Sequence, residues 1–219
     1  MALTFAGALD RDALARACRA LVPLVSDARV AERWDDGSAL PGLTVGGLTR
    51  HLVSQPECAV EFLRAPLPPD VPLLSLRAHY DRADWLDAPV EHPANTSICA
   101  DFDAMAAGGQ PHSVGILEQS LADLPGAIAA AGPVVHVPWQ DCALALDDLL
   151  AVRLVEVVVH ADDLATSVGA EPPAFDDDVL HPALAVLAML AARRHGQAPL
   201  VRALARAERS SGAVSAFGG

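Results

Sequence analysis

Arg153-Leu154-Val155-Glu156-Val157-Val158-Val159-His160-Ala161-Asp162-Asp163-Leu164 is the stretch on which the reading of this chain turns. On a helix, Arg153, Glu156, His160 and Asp163 share one face at spacings of three, four and three. The rest of the segment is almost wholly Leu, Val and Ala, so the helix is apolar nearly all round and belongs in a core. Val-rich runs also favour strands. A strand, however, would put Leu154, Glu156, Val158 and His160 on one face and mix polar with apolar, where the helix separates them. Helix is therefore the better reading. Buried polar groups must be paired, bind a metal or line a cavity. Glu156 and His160, at i and i+4, can grip one divalent ion from a single helix face. A plain buried Glu–His hydrogen bond fits the same spacing.

This helix is expected from Leu146 to about Val168, with Asp147 and Asp148 in the first turn, where the helix dipole favours carboxylates, and Gly169 as its stop. Upstream, Leu14, Ala17, Cys18, Leu21, Val25 and Ala28 recur at threes and fours and predict a helix from about Asp10 to Trp34, kinked or restarted at Pro23. Thr44 reads as the N-cap of a second helix to about Arg64, with Pro56 inside it. A proline-rich loop follows, then a short helix over Leu73 to Trp85 and a loop over Asp87 to Asn95. Helical pattern returns over Ile98 to Ala107 and Ser113 to Ala131, and Gly132-Pro133 ends it. Val134 to Trp139 is extended. Helices over Ala183 to His195 and Pro199 to Glu208 follow, with Ser210 to Gly219 as an exposed arm.

The chain has 219 residues, of which 52% are apolar and only 4% aromatic, so it can bury a core of close-packed helices. Its net charge of −13 speaks against nucleic acid and against anionic membranes as partners. Every basic residue is Arg, which removes lysine chemistry. Cys18, Cys58, Cys99 and Cys142 form no CxxC pair and read as small apolar residues. The N-terminus lacks the order of a signal peptide, and the longest apolar run is too short for a membrane helix, so a cytoplasmic protein is expected. The large apolar fraction in a small chain leads us to expect a homodimer.

A third metal ligand would strengthen the Glu156–His160 pair. His51 is the best placed, between Leu48 and Leu52 on the face of the second helix that should meet the core. His79, His92, His112, His136, His181 and His195 lie in loops or near helix ends and are expected to be mostly solvated.

Two segments, Pro41-Gly42-Leu43-Thr44-Val45-Gly46-Gly47-Leu48 with His51-Leu52, and Arg153 to Leu164 as quoted above, resemble the two signature segments of the mycothiol-dependent maleylpyruvate isomerase N-terminal domain family. The closing Ala191-Ala192-Arg193-Arg194-His195-Gly196 and Arg202-Ala203-Leu204 are also similar to family members. The family has an aromatic residue after Pro-Gly in many members, where this chain has Leu43. The resemblance implies an all-α, DinB-like up-down four-helix bundle over residues 1–170, with additional C-terminal helices over residues 171–219 packed on it. It implies His51, Glu156 and His160 as metal ligands, for zinc (Zn2+) or another divalent ion such as nickel (Ni2+). It also implies mycothiol or a similar low-molecular-weight thiol as cofactor, with a small electrophile as substrate.

Two His and one Glu leave a zinc position open, the pattern of catalytic rather than structural zinc. A free thiol is mostly protonated at neutral pH, and metal coordination favours its reactive thiolate. The expected activity is that of a transferase or isomerase. A metal-dependent hydrolase of a small amide or ester and a non-enzymatic ligand-binding bundle are the alternatives. Asp163 is a candidate for holding the His160 ring, with Asp162 as the alternative for that role or as a cap. Arg153 is a candidate for contacting Glu156 or an anionic substrate, or for a salt bridge with Asp148 or Glu156. Arg77 and Arg82 are candidates for carboxylate recognition in cofactor binding, against a solvated helix face as the simpler role. Trp139 and Tyr80 are expected to pack in the core.

Overall fold

The computed structural model describes residues 3–89, 91–210 and 212–217. The first helical stretch is three short helices, α1 (Ala13–Ala20), α2 (Val22–Val25) and α3 (Ala28–Glu32). Pro23 stands in the first turn of α2, where a missing amide is tolerated. Asp27, in extended backbone, starts α3 by accepting from the Arg29 amide at 2.9 Å. Leu14, Ala17, Cys18, Leu21 and Val25 are nonetheless all buried. The helix restarts at Pro23, one of the two outcomes expected there; Ala28, expected on the same buried face, is exposed because the second break, before α3, turns it out of that face.

Helix α4 (Val45–Arg64) begins as expected, with the Thr44 hydroxyl accepting from the Gly47 amide at 2.9 Å. Pro56 lies within it, and the Ser54 hydroxyl and Gln55 amide donate to the His51 carbonyl at 2.6 and 3.0 Å. A Cβ on Gly46 would lie 2.6 Å from the Trp34 indole, so glycine here is a packing requirement.

Helix α5 covers only Leu76–Asp81. The expected start at Leu73 fails because that residue bridges Ala143, with the Leu74 amide donating to the Ala143 carbonyl at 2.8 Å. Helix α6 (Pro93–Met105) starts earlier than expected: the His92 ring caps it and Pro93 opens its first turn. Helix α7 (Gly109–Ala130) begins at Gly109, whose φ of 75° reverses the chain. The extended segment is strand β1 (Val134–Val137), paired antiparallel with β2 (Cys142–Ala145), a partner the sequence did not announce.

Helix α8 (Leu146–Val168) has the expected bounds, and Gly169 ends it in left-handed backbone at φ 68°. Its buried Asp147 and Asp148 bind the N-terminal segment: the Phe5 and Gly7 amides donate to Asp148 and Asp147, each at 2.6 Å. Helix α9 (Asp177–His195) is capped by Asp176, which the reading from Ala183 overlooked. Helix α10 (Gln197–Ala205) follows. The tail is no free arm over its described part. The Ser215 carbonyl lies 2.9 Å from His195 Nε2, and Phe217 packs against Trp85. Ser211, Gly218 and Gly219 fall outside the described residues.

Helices α7 and α8 both pack along α4, and α1 packs against α4, α7 and α8. Helix α9 packs on α8 and carries α10, while α6 lies against α4. The centre is filled by Leu48, Leu52, Leu117, Leu124, Leu149 and Leu154, all fully buried. This is the all-α bundle with added C-terminal helices that was expected. Among the described residues, no helix is long and apolar enough to cross a membrane.

Candidate metal centre

The packing of α4 on α8 brings His51 to the polar stripe. His51 Nε2 lies 3.6 Å from Glu156 Oε2, and His160 Nε2 lies 3.3 Å from the same oxygen. The three donor atoms lie within 4.8 Å of one another. Two imidazole nitrogens and a carboxylate oxygen at this separation fit a divalent cation of borderline softness. The side chains are 12–16% exposed, so the site is shielded yet reachable.

Both histidines are oriented from outside. Asp163 Oδ2 lies 3.0 Å from His160 Nδ1, one turn along α8. A proton on Nδ1 donated to this carboxylate leaves Nε2 free to face the centre. Phe102 of α6 stacks on the His51 ring, with centroids 4.3 Å apart and planes 8° apart. The Asp103 carboxylate, next in sequence, accepts from the Thr44 amide at 3.1 Å and the Thr44 hydroxyl at 2.7 Å. That contact ties α6 to the start of α4 and so fixes Phe102 over His51.

Burial pushes the Glu156 carboxyl up, but the two imidazoles and Arg153 override it and hold the group well below the usual carboxylate range. Burial likewise depresses His160, yet Asp163 and Glu156 raise it to about 9. His51 is lowered, first by burial and then by the neighbouring His160.

Residues 14–165 match the family model for the mycothiol maleylpyruvate isomerase N-terminal domain, well over half of the chain. The chain belongs to this family. Membership in the mycothiol maleylpyruvate isomerase N-terminal domain family carries a DinB-like helical bundle and a mycothiol-related, metal-binding character. The matched span runs from α1 into α8 and contains His51, Glu156 and His160. No curated protein and no solved structure matches the chain.

The remaining expected residues are placed as follows. Arg153 is buried and donates from Nη1 to Gln55 Oε1 at 2.8 Å. The salt bridge considered with Asp148 does not form: the two residues are five apart on α8 and face different ways, Asp148 towards Thr4 and Phe5 and Arg153 towards Gln55. Arg77, on the exposed side of α5, bonds Asp81 at 2.9–3.0 Å, and Arg82 is exposed at the end of the same helix. The inward residues of α5 are Leu76, His79 and Tyr80, all buried. The expectation of a solvated His79 is corrected: its ring lies edge-on to those of Tyr80 and Trp139. Trp139, expected in the core, is half exposed, because it sits in the tight turn joining β1 to β2.

Sequence reasoning missed Phe102, Gln55 and the inward role of His79. Gln55 had a signal, since it follows His51 by one turn. Phe102 had none, because its value comes from how α6 docks.

Proposed function

We propose that this protein uses a divalent metal, zinc or nickel, together with a low-molecular-weight thiol such as mycothiol to act on a small electrophile, as a transferase or isomerase. The reading rests on one observation, the convergence of His51 Nε2, Glu156 Oε2 and His160 Nε2 from two helices. A cation bound there supplies Lewis-acid activation of a thiol at its open coordination position.

The protein's own groups prepare that chemistry. Asp163 fixes the His160 ring, Phe102 fixes the plane of His51, and the enclosing α4 and α8 restrict bulk water. Glu156, held ionised, offers a permanent anionic donor. Addition of a thiolate sulfur to one carbon of an electrophilic double bond forms a C–S bond and breaks the π bond, and the proton given up by the thiol is delivered to the other carbon, which completes transfer. Addition to a cis double bond, rotation about the new single bond and loss of the thiol complete an isomerisation.

The test is metal analysis of protein purified without chelators, followed by assay of an electrophile with and without thiol. About one equivalent of zinc or nickel, with thiol-dependent loss of the electrophile, supports the reading. Less than about a tenth of an equivalent, not restored by added zinc, overturns it. Turnover that proceeds equally without thiol points to hydrolysis instead.

A further inference from the structure

Helix α9 is apolar along its whole middle. From Val179 to Ala192 every residue but His181 is Val, Leu, Ala, Met or Pro. A helix apolar nearly all round belongs inside a protein. Only one side of α9 is inside: Val179, Pro182, Ala183, Val186 and Leu190 are buried, and the helix packs on α8. Leu184 is 54% exposed, and Leu180, Leu187 and Ala188 are partly exposed. Helix α10, packed on α9, buries none of its residues and exposes Val201 and Leu204. Of the seven large apolar side chains that are exposed among the described residues, three therefore lie on these two helices. A single exposed leucine needs no explanation, but a concentration on adjoining helices marks an interaction surface.

The two ends of α9 carry opposite charge. Asp177 and Asp178 stand in its first turn, and Arg193, Arg194 and His195 in its last. The Asp177 side chain is open to solvent. Arg193 is spent on Asp81 and Asp87 at 2.5–2.9 Å, whereas Arg194 is exposed. The helix dipole favours such ends, but it does not require the leucines between them to face water. Asp177, Leu180, Leu184, Leu187 and Arg194 share one stripe, at spacings of three, four, three and seven. Reversed end for end, this stripe is its own complement. A second copy running antiparallel, with the two-fold axis between Ala185 and Val186, sets Asp177 against Arg194 and Leu184 against Leu187. Parallel pairing would set like charges together. Within one chain the two ends are roughly 25 Å apart along the helix, too far to pair with each other.

We infer that the outer face of α9 is a homodimer interface, on which two copies of this chain pair α9 against α9 in antiparallel fashion. The apolar centre of the stripe supplies the affinity, because exposed ion pairs contribute little each. The Asp177–Arg194 pairs at the two ends set the orientation and the register. Pairing through α9 does not depend on the metal or the thiol proposed above.

The test is sedimentation velocity of the full chain, metal-stripped and zinc-loaded, up to about 100 μM. A mass of two chains is expected for both forms at the upper concentrations. Leu184→Glu, at a position the single chain exposes, should weaken association by about 100-fold, because it puts an unpaired charge into the apolar centre of each partner. Arg194→Asp should weaken it by about 10-fold. Adding Asp177→Arg to Arg194→Asp should restore association to the wild-type level, because the two ends then exchange charge and remain complementary. Helical circular dichroism checks that each variant folds, and if Leu184→Glu does not, the charge-exchanged pair decides. The inference is overturned if the wild type is monomeric at the highest concentration, if Leu184→Glu associates as well as wild type, or if the double variant associates no better than Arg194→Asp. Dimerisation of a protein without thiol-dependent turnover would leave the interface standing and remove the proposed function.

Discussion

Asp163 Oδ2 lies 3.0 Å from His160 Nδ1, so the ring that turns Nε2 towards Glu156 in the candidate metal centre is held by a carboxylate on its own helix. The contact selects the tautomer with the proton on Nδ1 and raises the basicity of Nε2. Asp163→Ala should therefore lower zinc affinity by about 10- to 100-fold while leaving the ligand count intact. Competition with a chromophoric chelator measures this. Equal affinity in the variant would show that the carboxylate is only a surface partner of the ring.

His160 itself stands on a helix secured by other contacts. Leu149, Leu150, Leu154, Val155, Val157 and Leu164 are all fully buried on α8. His160→Ala should reduce bound zinc from about one equivalent to near none, because a site of two protein ligands binds far more weakly than one of three. Helical circular dichroism should remain near that of the metal-free wild type. Zinc stoichiometry that survived the substitution would exclude His160 as a ligand.

The sequence disclosed those features that depend on local chemistry. The α8 bounds followed from an apolar run ending at Gly169, and the start of α4 followed from Thr44. The cluster of His51, Glu156 and His160 was legible because Glu156 and His160 share a face by spacing alone, while His51 was tied to them by position on a core-facing stripe and by family resemblance. What stayed hidden depends on distant partners. Strand β2 exists because Cys142–Ala145 pairs with β1 and with Leu73, and no alternation within its four residues signals that. His79 is buried because Tyr80 and Trp139 enclose it, and Phe102 meets His51 only because Asp103 docks α6 on Thr44. The break between α2 and α3 escaped because the apolar spacing runs on to Ala28, which the Asp27 cap turns outward.

Gly46 offers a test of how the start of α4 is packed. Its missing Cβ makes room for the Trp34 indole, whose Nε1 donates to the Ala106 carbonyl at 3.1 Å just beyond α6. Gly46→Ala must displace an aromatic ring that also anchors α6. A loss of about 1–3 kcal/mol is expected from overpacking, which outweighs the gain in helix propensity of about 1 kcal/mol. Urea denaturation measures the balance. A variant as stable as wild type would mean that Trp34 relocates freely.

His79 makes stability depend on pH. Burial, and then the charge of Arg153, lowers its pKa to about 4, against about 6.5 for an unfolded histidine. Between these values the unfolded chain takes up the proton and the folded chain does not. The contribution is therefore fully present above about pH 6.5 and is lost as pH falls towards 4. The loss amounts to roughly 2 kcal/mol by pH 5 and about 3 kcal/mol in full. His79→Gln removes this titration but retains His51, Glu156 and His160, so their effects cancel when the two metal-stripped proteins are compared. Urea unfolding at pH 7 and pH 5 should show the wild type losing about 2 kcal/mol more than the variant. Parallel losses would place the His79 ring in contact with water, contrary to its enclosure by Tyr80 and Trp139.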